Sequence, residues 1–266
     1  NNADAGWSSI VPTQNLVDMY EMENGLLKEE DGSGYDAAHP FANRDPRMDM
    51  TVLFPGQEWR GDILNTLDEI IDGEKNINYP LYTDNASKTS LTWAKYLDPI
   101  DQYSNVWNTA ACVIVFRYAE VLLSWAEAEN ELNGPSAQVY DYVDAIRQRA
   151  GMPKVDRAKY ASKETLRELI RRERCVEFAG EGLRRADILR WKDASGKMVA
   201  ETVLNGELKR ITGTVNYGES DPYKRATISG SVLIETRKFE PKNRYLPFSQ
   251  TGVLDKNPNI EQNPGY

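Results

Sequence analysis

Hydrophobic periodicity is strongest in the middle of the chain. Apolar side chains recur at helical spacing over 116–132 and again over 138–150, with the turn Asn133-Gly134-Pro135 between the two runs. The pattern predicts two helices, and the short Gly-Pro turn predicts that they pack as an antiparallel hairpin. From Phe116 to Arg149 this hairpin has 34 residues, the length of a tetratricopeptide unit. The side chains expected in its core are Phe116, Leu122, Leu123, Val143 and Ile146.

Two further helices and a return to loops are predicted after the hairpin. Ser162 is a suitable N-cap, and apolar residues follow it at helical spacing until Gly180-Glu181-Gly182 interrupts the pattern. A short helix is expected over 186–192. Beyond it the strongest strand pattern is 231–234, and the Pro-rich tail is expected to be held by the side chains of Tyr245, Leu246 and Phe248.

Residues 1–112 carry no sustained helical period. One helix over 13–22 and a short strand over 51–54 are predicted there, between many Gly, Pro, Asn and Asp turn residues. Loop segments of this length are usually functional or disordered, and aromatic residues are scarce in disordered chains. The segment is therefore predicted to be folded, because Trp and Tyr residues are spread along it. They include Trp7, Tyr35, Trp59, Tyr79, Tyr82, Trp93, Tyr96, Tyr103 and Trp107.

These patterns predict a mainly α fold with long irregular loops and a few short β-strands. We divide it into three segments of one domain. Residues 1–112 form a loop-rich aromatic segment that is the candidate ligand-facing part, 113–192 form the helical core, and 193–266 form a segment of loops and short strands.

Charge and composition exclude several functions. The 266 residues include 32 Lys and Arg against 41 Asp and Glu, a net charge of -9, which argues against binding to nucleic acids or to anionic membrane surfaces. The longest apolar run, 110–116, is far shorter than the ~20 residues of a membrane-spanning helix. Neither of the Gly-rich motifs that cradle phosphates or dinucleotides is present.

Cysteine and histidine are too few for common catalytic and metal sites. Cys112 and Cys175 lie 63 residues apart, which is no zinc-type pair, and both are expected to be buried, although a disulfide stays possible. The single histidine, His39, lies in a polar segment beside Pro40 that is typical of a surface loop. No catalytic residue, cofactor or metal site is predicted.

Glu173, Glu177 and Glu181 follow one another at a spacing of four residues and allow two interpretations. They resemble the paired carboxylates of a glycosidase or of a carboxylate metal site. Alternatively, they pair with Arg residues three or four positions away on the same helix. The second interpretation is favoured, because so many neighbouring Arg residues keep a carboxyl group ionised and unsuited to donate a proton.

Aromatic residues in polar surroundings are the candidate ligand contacts. A sugar ring presents an apolar C–H face to an aromatic ring, while its hydroxyl groups need nearby carboxylates, amides or cations. Among Trp59, Tyr82, Trp93 and Tyr96, at least one ring is expected to be open to solvent beside such groups, and Trp93 is the first choice.

Six strings in order resemble the SusD/RagB family, outer-membrane lipoproteins of Gram-negative bacteria that bind nutrients for import. The C-terminal half of that family is matched. The strings are PTQNLVDMYEM at 12–22, NRDPR at 43–47, RYAEVLLSWAEA at 117–128, IRQRAGMP at 146–153, RRERCVEFAGEG at 171–182 and YLPFSQ at 245–250, before the ending NPNIEQNPGY at 257–266.

The resemblance implies a non-enzymatic surface protein. Such a protein binds glycans or peptides and delivers them to a SusC-like TonB-dependent transporter, and a lipid on a preceding N-terminal half anchors it to the outer membrane. Arg44, Asp45 and Arg47 are then expected to fix a loop. Without the preceding half, residues 1–266 are expected to leave an apolar helix surface uncovered. A glycoside hydrolase and a purely structural helical-repeat scaffold are the alternative functions.

Overall fold

The helices are concentrated in the middle of the chain, as predicted. A computed structural model describes residues 7–97 and 112–266. The longest helices are α3 (Tyr118–Asn133), α4 (Ala137–Arg149) and α5 (Lys163–Glu177). The shorter helices are α1 (Gln14–Met19), α2 (Arg47–Thr51), α6 (Arg184–Arg190), α7 (Val199–Val203) and α8 (Pro222–Arg225), with 3₁₀ turns at Pro241–Arg244 and Leu254–Lys256.

The strands are paired two by two and most of them are short. Antiparallel pairs form between β1 (Val52–Leu53) and β6 (Thr92–Trp93), between β2 (Glu58–Trp59) and β3 (Asp62–Ile63), and between β4 (Ile70–Ile71) and β5 (Glu74–Lys75). The longer strands β7 (Gly206–Val215) and β8 (Ala226–Arg237) pair with each other. Helices outweigh strands, so the mainly α fold class is confirmed.

The predicted hairpin is present, with one error at its start. Helices α3 and α4 pack against each other, and Leu122, Leu123, Val143 and Ile146 are buried. Phe116 is 64% exposed, contrary to prediction. The cause is that α3 begins only at Tyr118 and the preceding backbone is extended, so Arg117 turns inward towards Glu177 and Glu181 instead.

Boundaries elsewhere differ from prediction by a few residues. Ser162 caps α5 as expected and forms a capping box with Thr165. Helix α6 begins two residues before the predicted start, α1 is shorter than the predicted 13–22, and the strand predicted over 51–54 is the two-residue β1. The predicted strand 231–234 lies within β8.

The chain divides into two compact units, each with its own apolar cluster. The first comprises Asn1–Gly182 and Lys209–Ile234, and the second comprises Leu183–Leu208 and Glu235–Tyr266. In the first unit the loop-rich segment supplies most of one apolar cluster, where the rings of Phe41 and Phe54 stack at 4.2 Å. In the second unit the cluster consists of Ile188, Trp191, Met198, Ala200 and Phe239.

The tail of the second unit is held differently from the prediction. The side chains of Tyr245, Leu246 and Phe248 are exposed. Their backbone groups hold the tail instead: the amide of Gln262 bonds the backbone of Phe248 in both directions, and Asn263 donates to the carbonyl of Leu246. A Pro-rich segment cannot form the regular hydrogen bonds of a β-sheet, and amide side chains can instead bond its backbone groups.

Arg44 and Asp45 fix the loop before α2, as expected from the resemblance. The guanidinium of Arg44 donates to the carbonyl oxygens of Pro40, Val17 and Tyr20 at 2.6 to 2.8 Å. Asp45 accepts from the guanidinium of Arg47. These bonds hold the start of α2 against α5, since Arg47 also reaches across to that helix.

A buried ion-pair network joins α5 to segments far away in sequence. Glu173 accepts from Arg47 at 3.0 Å and from Arg147 at 2.6 Å. Arg147 in turn donates to Glu21 at 2.8 Å. The interpretation of the glutamates as ion pairs is therefore confirmed, but the expected partners were wrong: they come from other elements and not from the same helix. The residues of this charge network are Glu21, Asp45, Arg47, Lys95, Arg117, Arg147, Arg149, Arg172, Glu173, Glu177 and Glu181.

Removing one carboxylate from the centre of the charge network is expected to be strongly destabilising. Glu173→Gln leaves Arg47 and Arg147 without their shared anion, and breaking a buried pair in this way costs about 3–5 kcal/mol. Glu168→Gln is the control on the same helix, since Glu168 is exposed and pairs with Arg171 at the surface. It should change the free energy of unfolding by about 0–1 kcal/mol. Urea denaturation measures both, and equal effects would contradict a special role of Glu173.

Stability is expected to fall in acid. Burial alone would raise the pKa of Glu173, but Arg47 and Arg147 more than compensate and hold it below its ordinary value of 4.5. The pKa of Glu177 is lowered in the same way, with Arg117 and Arg47 opposing the effect of burial.

An unfolded chain takes up protons on these groups near pH 4.5, before the folded protein does, so the free energy of unfolding falls as the pH drops from about 5.5 towards 3. Each unit of pKa lowering contributes about 1.4 kcal/mol above that range. Denaturation at a series of pH values should show this slope, and Glu173→Gln should reduce it. An unchanged slope in the variant would contradict the assignment.

Candidate functional site

Trp93 and Tyr96 are brought together at one place on the first unit. Trp93 lies in β6 opposite Val52 of β1 and is half-buried. Its indole ring lies against Gly180, where an added Cβ would be 3.5 Å from the ring. Gly180 follows α5 with a φ of +78°, a conformation that favours glycine. The turn at Gly180 thus lies in contact with the ring of the predicted tryptophan.

Tyr96 forms the exposed edge of this region. Its side chain is 36% exposed, and its backbone has a φ of +69°. A bulky residue in the left-handed region costs of order 1–3 kcal/mol unless its surroundings hold it there. Burial raises the pKa of the Tyr96 hydroxyl and Glu181 raises it further, while Arg117 opposes them. The hydroxyl is therefore protonated at neutral pH and offers both a donor and an acceptor.

The first of two adjoining hollows is lined by Tyr96, and the two hollows share Ile114 and Glu181. The first has a volume of about 220 Å³ and the second about 280 Å³. The first is lined by Tyr96, Cys112, Val113, Ile114, Gly180 and Glu181. The second is lined by Arg47, Met50, Thr51, Lys95, Ile114, Arg117, Arg149, Val176, Glu177 and Glu181.

Glu181 links the hollows to the charge network. Its carboxylate accepts from Lys95 at 2.5 Å and from the guanidinium of Arg117 at 2.8 Å. Lys95 also donates to the backbone carbonyl of Glu177 at 3.2 Å. Because Glu177 has a lowered pKa, its carboxylate stays charged at neutral pH and is a poor proton donor. The arrangement suits hydrogen bonding to a ligand better than acid catalysis.

Trp59 and Tyr82 line neither hollow. Trp59 is half-buried at the tip of the β2–β3 hairpin, where Arg60 and Gly61 form the turn and Asp62 lies opposite. Tyr82 is half-buried and its hydroxyl donates to the carboxylate of Glu69, which raises the pKa of Tyr82 to about 12. These two residues remain separate candidates.

The neighbourhood of Tyr82 is aromatic and charged. The ammonium of Lys75 lies 5.1 Å from the centre of its ring, and the ring of Tyr79 is 5.7 Å away. The guanidinium of Arg210 lies 5.4 Å from the Tyr79 ring. One face of each ring is thus occupied by a cation, which leaves less aromatic surface for a sugar.

The structure also tests the predictions for the two cysteines and the histidine. Cys112 is exposed and lines the first hollow, contrary to prediction, whereas Cys175 is buried. The prediction failed because Cys112 belongs to the extended stretch before α3. His39 lies 2.8 Å from Asp36 in a surface loop, as expected. Tyr103 and Trp107 lie outside the described residues.

Sequence reasoning missed the cations of the second hollow. Lys95, Arg117 and Arg149 are separated from Glu177 and Glu181 by 28 to 86 residues along the chain. No local spacing marks such pairs. The Gly180 break was found, but only as the end of a helix.

Residues 7–97 and 112–266 hold neither a candidate metal cluster nor a membrane-spanning helix. No three His, Cys, Asp or Glu side chains in these ranges are grouped so that they could hold a metal ion. None of the helices described there is long and apolar enough to cross a membrane.

Comparison with known proteins identifies the family. The family model described as SusD family matches residues 1–266. SusD-like protein P25 of Formosa agariphila is 33% identical over 144 residues, which is 54% of this chain and 24% of that protein.

Solved structures agree with this family match. A SusD-like carbohydrate binding protein of Bacteroides fragilis superposes with a TM-score of 0.71 at 28% identity, over 94% of this chain and 48% of that one. Another SusD-like protein of the same species gives a TM-score of 0.71 at 25% identity, over 99% and 48%. The chain spans about half the length of these solved relatives and about a quarter of the curated one. It belongs to the SusD family.

Proposed function

We propose that the protein binds nutrient glycans without chemical turnover and delivers them to a SusC-like TonB-dependent transporter. The observation that carries this proposal is Tyr96, a partly exposed aromatic ring on a hollow that also presents Glu181. A ring face with nearby hydrogen-bonding groups is what recognition of a sugar requires. Membership of the SusD family and the carbohydrate-binding relative support the same function.

The remaining features of the proposal follow the family resemblance. The protein acts at the cell surface as an outer-membrane lipoprotein, and residues 1–112 supply the ligand-facing part of residues 1–266. Trp93 and Tyr96 are the first candidate contacts because they lie together, and Trp59 and Tyr82 are the second. Peptide binding is the alternative within the family, and a peptide pool tests it alongside the glycans.

Tyr96→Ala is expected to weaken glycan binding. Loss of a stacking ring costs about 1–3 kcal/mol by analogy with aromatic platforms for nucleic acid bases, a loss of affinity of roughly 5- to 150-fold. Unfolding stability should change little, because the ring is partly exposed and Ala keeps the same backbone strain. Trp93→Ala should reduce both affinity and stability, since Trp93 also packs against Gly180.

Calorimetry and affinity electrophoresis against starch, xylan, mannan, galactan, oligogalacturonate and a mixed peptide pool provide the measurement. Tyr245→Ala is the control, since Tyr245 is a similarly exposed tyrosine in the second unit. Binding to peptides alone, or to neither class, would overturn the proposed function. Unchanged glycan affinity in Tyr96→Ala would overturn the site only.

A further inference from the structure

We propose that the two adjoining hollows form one site for sugars that carry an anionic substituent, with Arg149 as the group that binds the anion. This inference rests on the proposed function and names the ligand class of the same site. The additional observation is the cationic lining of the second hollow. Binding of a neutral glycan does not require such a lining.

The hollows combine two kinds of recognition in one continuous surface. Ile114 and Glu181 line both of them, so a ligand that fills the first hollow extends directly into the second. The first hollow offers the ring of Tyr96. The second offers cationic side chains in a protein whose net charge is -9. A ligand that fits both has an apolar ring face at one end and a negative group at the other.

Glu177 is shared by three guanidinium groups. Arg47 donates to its Oε2 at 3.1 Å, and Arg117 and Arg149 both donate to its Oε1 at 2.5 Å. Arg47 has further anions in Asp45 and Glu173, and Arg117 has one in Glu181. One carboxylate therefore serves three cations, of which two have other partners.

Among the three guanidinium groups around Glu177, that of Arg149 has the fewest carboxylate partners. Its guanidinium makes one hydrogen bond among the residues that the structure describes, from Nη2 to Glu177. Its side chain is 58% exposed, whereas that of Arg47 is buried. A guanidinium has five N–H donors in a planar fork that matches carboxylate and sulfate oxygens. Arg149 thus has donors left for an incoming anion.

Lys95 lines the same hollow as Arg149 and adds to the attraction. Its ammonium uses two donors, on the carboxylate of Glu181 and the carbonyl of Glu177. The negative groups facing the site are Glu177 and Glu181, and both are already hydrogen-bonded to cations. Since Arg47, Lys95, Arg117 and Arg149 line the same hollow, the positive groups outnumber the negative ones there.

The test compares acidic and neutral forms of one sugar. Oligogalacturonate and its methyl ester share the ring and linkage and differ in the carboxylate, and a sulfated galactan with its desulfated form tests sulfate in the same way. We expect the wild-type protein to bind one acidic form at least ten-fold more tightly than its neutral partner in low salt. The preference should shrink at high salt, because exposed charges are then screened.

Arg149→Met should remove most of this preference, because the neutral form carries no anion for the guanidinium to bind. Arg157→Met is the matched control, because Arg157 is 51% exposed and pairs with Asp141 at the surface. It should keep the preference. Urea denaturation of both variants checks that the Arg149 effect is not a loss of folding.

Each outcome separates this inference from the proposed function. Binding of neutral glycans as tightly as acidic ones, or a preference that survives in Arg149→Met, would overturn the anionic ligand class and leave glycan binding intact. Binding of no glycan in the panel would overturn both. A roughly 5- to 150-fold loss of affinity for both forms in Tyr96→Ala, together with loss of the acidic preference in Arg149→Met, would support the two-part site.

Discussion

The contact between Arg47 and the two buried glutamates of α5 is the interaction on which the first unit depends. It joins residues 126 and 130 positions apart in a setting almost closed to water. A buried charge is costly when unpaired, and a buried pair often contributes little compared with apolar side chains of the same size. We therefore interpret the charge network as a set of contacts that favours one arrangement of the loop segment on α5 over other arrangements. Asp45 of the same loop accepts from Nε and Nη2 of Arg47, but Nη1 of Arg47 is satisfied only when the loop docks on Glu173 and Glu177.

That docking also builds the candidate site. The carboxylate of Glu177 is held by Arg47 from the loop segment, and from the other side it meets Arg117 before α3 and Arg149 at the end of α4. Four separate parts of the chain therefore meet at one residue. Because the three guanidinium groups are oriented by the same anion, they are positioned before any ligand arrives, and less freedom is lost on binding.

The sequence predicted those elements correctly whose formation depends on local patterns. Apolar spacing predicted α3, α4 and α5, and Ser162 marked the start of α5, because periodicity and capping act over a few residues. The prediction for Phe116 was wrong because α3 begins only at Tyr118, after an extended Arg117 that pairs with glutamates far along the chain. The aromatic candidates were chosen by residue type and by polar neighbours. The grouping of Lys95 and Arg149 with Glu177 and Glu181 depends on tertiary contacts that leave no local signal.

In the first unit, the residues that stabilise the fold differ from the residues that we propose to contact the ligand. The carboxylates with lowered pKa, Glu173 and Glu177, lie inside the charge network and stay ionised over the physiological range, so the framework does not change with moderate shifts of pH. Tyr96 and Arg149 lie at its exposed edge, where a substitution removes few buried contacts. Ligand preference can therefore change through the edge residues while the buried pairs, which cost several kcal/mol to break, stay as they are.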